Sequence, residues 1–194
     1  MPPSLINPFE YSSILVSIIL GLGITQLLSA FSDLLYNYKK VSFYWPQTLW
    51  LVFILFLHIQ DWFITYQLKD KPEWHFAELV FILLYPVSLF MAAKLLLPSN
   101  DKEESRQMKS YYMSQYPVLF AVMAVSILLS VIFNIWLLRE PLLAQVHLLM
   151  FFLVILLIAV LKVRHPMIHK FTAIAVCVAA LTSLIIETES WVIK

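Results

Sequence analysis

The amino-acid sequence predicts an all-α, polytopic membrane protein with six transmembrane helices. Of its 194 residues, 61% are hydrophobic and only 13% are charged, whereas soluble domains contain roughly 45–50% apolar and about 25% charged residues. The apolar residues occur in continuous runs, and about 20 such residues are needed to cross about 30 Å of hydrocarbon. Proline residues stand in the breaks between the runs, where a helix tolerates them best.

Six runs meet this length, and we predict that they form a single transmembrane domain over residues 1–194. The predicted helices comprise residues 11–36, 46–67, 74–97, 117–138, 142–161 and 167–192. The first is expected to be retained, since Met1 to Glu10 contains no Lys or Arg and no cleavage-site pattern. Residues 99–115 form the longest connection and the only strongly polar stretch, which predicts a solvated loop. The alternative is that this loop contacts a partner protein.

The composition argues against several classes of function. The formal net charge is +1, and a nucleic-acid-binding protein would need a basic surface. Only two glycines are present, which excludes a Gly-rich phosphate-binding loop. Cys177 is the only cysteine, so neither an internal disulfide nor a site with several thiolate ligands is expected. We predict no cofactor and no metal ion, and no nucleophile–base pair indicates an enzyme.

The distribution of Lys and Arg predicts the orientation of the helices in the membrane. Nine of these residues lie in or beside the loops after the first, third and fifth helices: Lys39, Lys40, Lys94, Lys102, Arg106, Lys109, Lys162, Arg164 and Lys170. Four lie on the opposite side: Lys69, Lys71, Arg139 and Lys194. Because cytoplasmic loops are enriched in Lys and Arg, both termini are predicted to lie outside a bacterial inner membrane. The loop 99–115 is then cytoplasmic, and the turn with Arg164, His165, His169 and Lys170 is expected to contact anionic lipid headgroups.

Small and polar residues recur at every fourth position of the first helix: Ser13, Ser17, Gly21, Thr25, Ser29 and Asp33. Residues at this spacing lie along one side of a helix, and small side chains there allow helix backbones to approach closely in lipid. We interpret Ser17, Gly21, Thr25 and Ser29 as a helix-packing stripe, and the polar lining of a water-filled path is the alternative. Shorter stripes occur on the fourth helix (Ser126, Ser130, Asn134) and the sixth (Ala175, Ala179, Ser183, Glu187).

Several ionisable residues fall within the outer ends of the predicted helices, where burying a charge in hydrocarbon costs at least about 2.5 kcal/mol. Asp61 and Glu78 lie at similar depths in two helices joined by a short loop, so their carboxyl groups are expected to face each other. His58 lies one helical turn from Asp61. We predict His58, Asp61, Glu78 and Glu187 as candidates for an ion or proton relay. A structural polar network is the alternative, and a metal site would lack a fixed third ligand.

Four stretches of the sequence resemble a family of uncharacterised bacterial six-helix integral membrane proteins. They are the segment 10–29 (EYSSILVSIILGLGITQLLS), the tract Phe43-Tyr44-Trp45, the tract 58–62 (HIQDW), and the region from Trp74 through Tyr85-Pro86 to Pro98. The resemblance covers roughly the first half of the chain. It implies a six-helix membrane fold and no known activity.

Our leading functional hypothesis is a small ion- or proton-linked channel or transporter that forms a homo-oligomer in the lipid bilayer. Six short helices enclose little interior. The ion or proton path is therefore expected either between subunits or within one subunit. The alternative hypothesis is a non-transporting sensor or effector module that acts through partner proteins, with residues 99–115 as the contact.

Overall fold

Six α-helices make up the computed structural model, which describes residues 8–71, 73–98 and 107–186. The helices are α1 (Pro8–Tyr36), α2 (Trp45–Tyr66), α3 (Phe76–Leu96), α4 (Met108–Trp136), α5 (Val146–Val160) and α6 (Pro166–Ile186), and a 3₁₀ turn (Leu142–Gln145) leads into α5. Five of these helices, and α5 together with its 3₁₀ turn, are long and apolar enough to cross a membrane. The predicted all-α fold with six transmembrane helices is confirmed, and the chain is a multi-pass membrane protein.

The largest difference from the predicted boundaries is at the start of α4. This helix begins at Met108, so Pro117 lies inside it rather than in its first turn. An internal proline removes one backbone hydrogen bond, a loss that membrane helices tolerate when neighbouring helices pack around them. Here the first turns of α4 bury Tyr112 and Tyr116, and this packing extends the helix into the predicted loop. Residues 99–106 of that loop lie outside the described ranges.

The helices pack around α3, which contacts α1, α2 and α4. Helix α5 lies against α4, and α2 also contacts α1 and α6. The predicted neighbours α2 and α3 are therefore in contact. Two apolar clusters fill the bundle: a larger one that includes Leu27, Trp50 and Phe120, and a smaller one that includes Leu20 and Leu89.

The last turns of α1, α3 and α5 lie at one end of the bundle, which we call the basic end because most of the described Lys and Arg residues lie there. Ser42 and Gln107 form an isolated backbone bridge at this end. The turns after α4 and α5 lack glycine and instead place Arg139 (φ 61°) and Lys162 (φ 49°) in the left-handed region. Such a residue commonly ends a helix, and the Val163 N–H accordingly donates to the Ile158 carbonyl at 3.2 Å.

The buried face of α2 runs the length of the bundle and positions the polar groups discussed below. From the basic end, its buried members are Pro46, Gln47, Trp50, Leu51, Ile54, His58, Asp61 and Thr65. Their spacing of mostly three or four residues keeps them on one side of the helix. Polar side chains thus lie towards both ends of this face, and apolar side chains lie between them.

Candidate functional site

His58 lies at the centre of the polar group in the half of the bundle opposite the basic end. Its side chain is 0% exposed, and its Nδ1 atom is 2.7 Å from the carbonyl oxygen of Ile54 on the preceding turn. A carbonyl oxygen only accepts hydrogen bonds, so Nδ1 carries the proton and Nε2 presents a lone pair. Within the described ranges Nε2 has no hydrogen-bond partner.

Gly23 of α1 makes room for this imidazole. A Cβ atom added at Gly23 would overlap the Nε2 and Cδ2 atoms of His58, so the α1 backbone lies directly against the ring. The other glycine of the chain, Gly21, would meet nothing within 4 Å of an added Cβ. Close packing against His58 therefore requires glycine at position 23 only.

Asp61 follows His58 by three residues on α2, which places the two side chains on neighbouring parts of the same face. The Asp61 residue is 9% exposed, and its Oδ2 atom is buried without a hydrogen-bond partner in the described part of the chain. The phenol of Tyr85 on α3 lies within electrostatic range of the Asp61 carboxyl group. The site therefore combines an imidazole, a carboxyl group and a phenol, contributed by α2 and α3 and covered by α1.

Glu78 does not join this group, although the sequence predicted that its carboxyl group would face Asp61. Helix α3 begins at Phe76, so Glu78 lies in its first turn and closer to the loop than predicted. Its Oε1 atom is 2.6 Å from Lys71 Nζ, and its Oε2 atom accepts the backbone N–H of His75 at 3.0 Å. A carboxylate in the first turn of a helix is stabilised by such N–H groups and by the helix dipole, which explains its separation from Asp61.

The predicted stripe on α1 does not pack against another helix of the described chain. Its four central members are exposed: Ser17, Gly21, Thr25 and Ser29. The shorter stripe on α4 is partly internal, since Ser126 is buried and its hydroxyl lies 2.8 Å from that of Ser88 on α3. Glu187, the fourth relay candidate, lies outside the described residues.

A second polar group, at the basic end, was not predicted as a site. The sequence placed His169 in a headgroup-contacting turn, but this expectation is wrong because the side chain is 0% exposed. Three aromatic rings of α4 surround it, at centroid distances of 5.4 Å (Tyr112), 4.5 Å (Tyr116) and 5.8 Å (Phe120). The spacing of these aromatic residues, four apart on one helix face, is the signal that would have identified the group.

Tyr44, just before α2, packs against the aromatic rings that surround His169. Its ring lies 5.4 Å from that of Tyr112, and burial raises the pKa of its phenol. Arg164 and His165, which the sequence assigned to the same turn as His169, are exposed. The turn thus divides into an exposed cationic part and a buried histidine.

No set of three or more His, Cys, Asp or Glu side chains within residues 8–71, 73–98 and 107–186 could hold a metal ion. In that part of the chain, the pair of His58 and Asp61 therefore has no third metal ligand. Imidazole and carboxyl groups can both bind and release protons.

Comparison of the chain with descriptions of known protein families, with curated proteins and with solved structures finds no match. The resemblance of the first half of the chain to uncharacterised bacterial membrane proteins stays a prediction. The fold and the buried polar groups define the class, a six-helix membrane protein with ionisable side chains inside its bundle.

Proposed function

We propose that this protein is a small proton-linked channel or transporter in which Asp61 and His58 exchange the proton. The observation that carries the proposal is the burial of both side chains inside the bundle with one unpartnered atom each, Asp61 Oδ2 and His58 Nε2. Buried polar groups in proteins are normally satisfied, and an intramembrane carboxyl group is costly enough to suggest a function.

The chemistry of the two groups suits proton transfer. The neutral imidazole holds its proton on Nδ1, so its free Nε2 lone pair can accept another. The Asp61 carboxyl group can donate a proton as a carboxylic acid and accept one as a carboxylate. Asp61 lies five residues from the end of α2 at Tyr66, or about 7.5 Å at about 1.5 Å per residue, which keeps it within reach of water at that end.

The proposed setting is a bacterial inner membrane, with both termini outside. The excess of Lys and Arg at the basic end supports this orientation, because such residues favour the cytoplasmic side. His58 and Asp61 then lie in the outer half of the membrane and receive protons from outside.

The experiment is proton flux into liposomes containing purified protein, under imposed pH gradients and voltages. Asp61→Asn keeps the shape of the side chain but cannot ionise, so flux should fall at least about tenfold. Glu78→Gln is the matched control, since it removes an acid at the same end that is held by Lys71 and the helix terminus. Flux that survives in Asp61→Asn, with the fold intact, refutes the proton role of Asp61. Absence of flux in the wild type would favour the partner-dependent module instead.

We also propose that the protein is a homo-oligomer that associates through the exposed stripe of α1. The support is the exposure of Ser17, Gly21, Thr25 and Ser29 in the single chain, since small residues at this spacing promote close helix contacts in lipid. A symmetric dimer would bring two copies of Gly21 together. In a Cys177→Ala background, Gly21→Cys should therefore cross-link two chains. Val52→Cys, on an exposed part of α2, is the control that should not, and equal cross-linking of both variants would refute the interface.

A further inference from the structure

A group of unpartnered polar atoms lies at the basic end of the bundle. The described part of the chain contains seven buried side-chain nitrogen or oxygen atoms without a hydrogen-bond partner, and four of them lie here. They are Tyr44 Oη, Gln47 Oε1, Trp50 Nε1 and Tyr116 Oη, and each of these residues is at most 7% exposed. We call these four residues, together with Tyr112 and His169, the basic-end cluster.

Tyr112 connects the members of this cluster. Its phenol lies within electrostatic range of the phenols of Tyr44 and Tyr116. It also lies near the indole N–H of Trp50, but this N–H group does not form a hydrogen bond with it. The same phenol lies 3.2 Å from Nδ1 of His169. The polar atoms of Tyr44, Trp50, Tyr116 and His169 therefore lie near the Tyr112 hydroxyl. Gln47 lies three residues from Trp50 on the same buried face of α2.

The hydrogen bonds of His169 show which atom is the donor and which the acceptor between Tyr112 and His169. Its Nε2 atom lies 2.7 Å from the carbonyl oxygen of Val163, and that oxygen only accepts, so Nε2 carries the proton. Nδ1 then accepts the hydrogen bond from Tyr112 Oη–H. Since Tyr112 donates to His169, the oxygen lone pairs of Tyr112 remain available to a donor on its other side.

The unpartnered atoms form a mixed set of donors and acceptors. The Tyr44 and Tyr116 hydroxyls both donate and accept, and the Trp50 N–H only donates. The Gln47 amide oxygen only accepts. The amide nitrogen of the same side chain donates to the Leu96 carbonyl at 2.5 Å, which fixes the orientation of the amide. A bare cation would be opposed by the N–H group and an anion by the amide oxygen, whereas water both donates and accepts. The set is therefore complementary to water.

We propose that the basic-end cluster binds a small group of water molecules, which join Tyr112 and His169 to form a second proton-transfer station. The water site stands on the geometry alone, whereas its role in proton transfer rests on the proposed function. His169 lies beside the turn after α5 through Val163, so the station opens towards the basic end. His58 and Asp61 serve the opposite end.

An apolar layer separates the two stations. Leu51 and Ile54 lie between Trp50 and His58 on the buried face of α2, and Leu27 of α1 belongs to the same apolar cluster. Trp50 and His58 are eight residues apart, which corresponds to about 12 Å along the helix axis. Protons therefore cross this layer only when the helices move or water enters, which keeps the two ends from being joined by a permanent pore.

Radiolytic hydroxyl-radical labelling of the whole protein in detergent tests the water site directly, because bound water generates radicals beside buried side chains. Tyr44 and Tyr116 should be oxidised several-fold faster than Phe120, an aromatic residue of the same cluster that is 0% exposed. Met123, which is 1% exposed and has a more reactive side chain, is the second comparison. Labelling of both tyrosines as slow as that of Phe120 overturns the water site, whether or not the protein conducts protons.

The role of the station is tested by proton flux in Tyr112→Phe. This variant keeps the ring among its aromatic neighbours but removes the hydroxyl that donates to His169, so flux should fall at least about tenfold. Tyr111→Phe is the matched control, because its hydroxyl donates to the Leu95 carbonyl outside the cluster. If Asp61→Asn abolishes flux and Tyr112→Phe does not, the second station is refuted and the proposed function stands. If the wild type conducts no protons, the proposed function fails and the labelling result still decides the water site.

Discussion

The contact between Gly23 and His58 gives a quantitative prediction with a built-in control. Gly23→Ala and Gly21→Ala introduce the same methyl group two residues apart on α1. Each gains roughly 0.5–1 kcal/mol of helix propensity over glycine. At Gly21 the new Cβ meets nothing within 4 Å, whereas at Gly23 it overlaps the imidazole of His58.

Because the propensity gain is common to both variants, the difference between them isolates the cost of the overlap when the chain is monomeric. Both variants are therefore compared as monomers, since Gly21 lies at the proposed dimer contact. Overpacking a well-filled interior costs typically about 1–3 kcal/mol. Displacing His58 also strains its 2.7 Å hydrogen bond to the Ile54 carbonyl, a bond that contributes about 0.5–1.5 kcal/mol. We therefore expect Gly23→Ala to be less stable than Gly21→Ala by about 1.5–4.5 kcal/mol, the sum of the two ranges.

Unfolding by SDS from detergent micelles measures this difference as a shift between the two unfolding curves. His58→Ala should suppress it, since the double variant Gly23→Ala/His58→Ala has space for the new methyl group. The coupling energy of that double-mutant cycle should recover most of the overlap cost. Equal stability of the two alanine variants, within about 0.5 kcal/mol, would refute the packing of the imidazole against the α1 backbone.

Three further predictions concern the caps and the interior of the bundle. Glu78→Gln should lower the free energy of unfolding by about 0.5–2 kcal/mol, since it weakens the cap of α3 and the ion pair with Lys71; an unchanged unfolding curve contradicts the capping role. The Ser88 and Ser126 hydroxyls, 2.8 Å apart, should show a coupling of about 0.5–1.5 kcal/mol in a double-mutant cycle with alanine, and a value near zero would mean that their hydrogen bond gives no net stability. Lys162→Gly should raise the free energy of unfolding by about 1 kcal/mol because this residue has φ 49°, and a loss of stability in the same SDS assay would contradict the cost assigned to its backbone.

The sequence by itself determined the fold class, because the bilayer imposes a simple length and composition requirement on each helix. Runs of about 20 apolar residues predict spanning helices wherever they occur, and all six were found. The prediction failed at the start of α4, where Pro117 indicated a boundary that the buried rings of Tyr112 and Tyr116 override. Local rules for proline describe an isolated helix, and tertiary packing can outweigh them.

The sequence also identified His58 and Asp61 as intramembrane polar residues, because the depth of a residue within a predicted helix follows from its number in the sequence. It could not assign their partners. Glu78 was predicted to face Asp61, but it forms an ion pair with Lys71 and accepts the backbone N–H of His75 at the start of α3 instead. A shift of two residues in the start of α3 moved this carboxylate from one turn inside the helix to its cap.

Only the tertiary structure decided which residues from distant segments meet. His169 was expected among headgroups because Arg164 and Lys170 lie nearby in sequence, yet it is enclosed by aromatic rings of α4. In the same way, the stripe on α1 was predicted to form helix–helix contacts, and only the structure shows that it faces outwards from the described chain. Helical periodicity fixes which residues share a face, whereas the rotation of each helix and the choice of its neighbours depend on the packing of all six helices together.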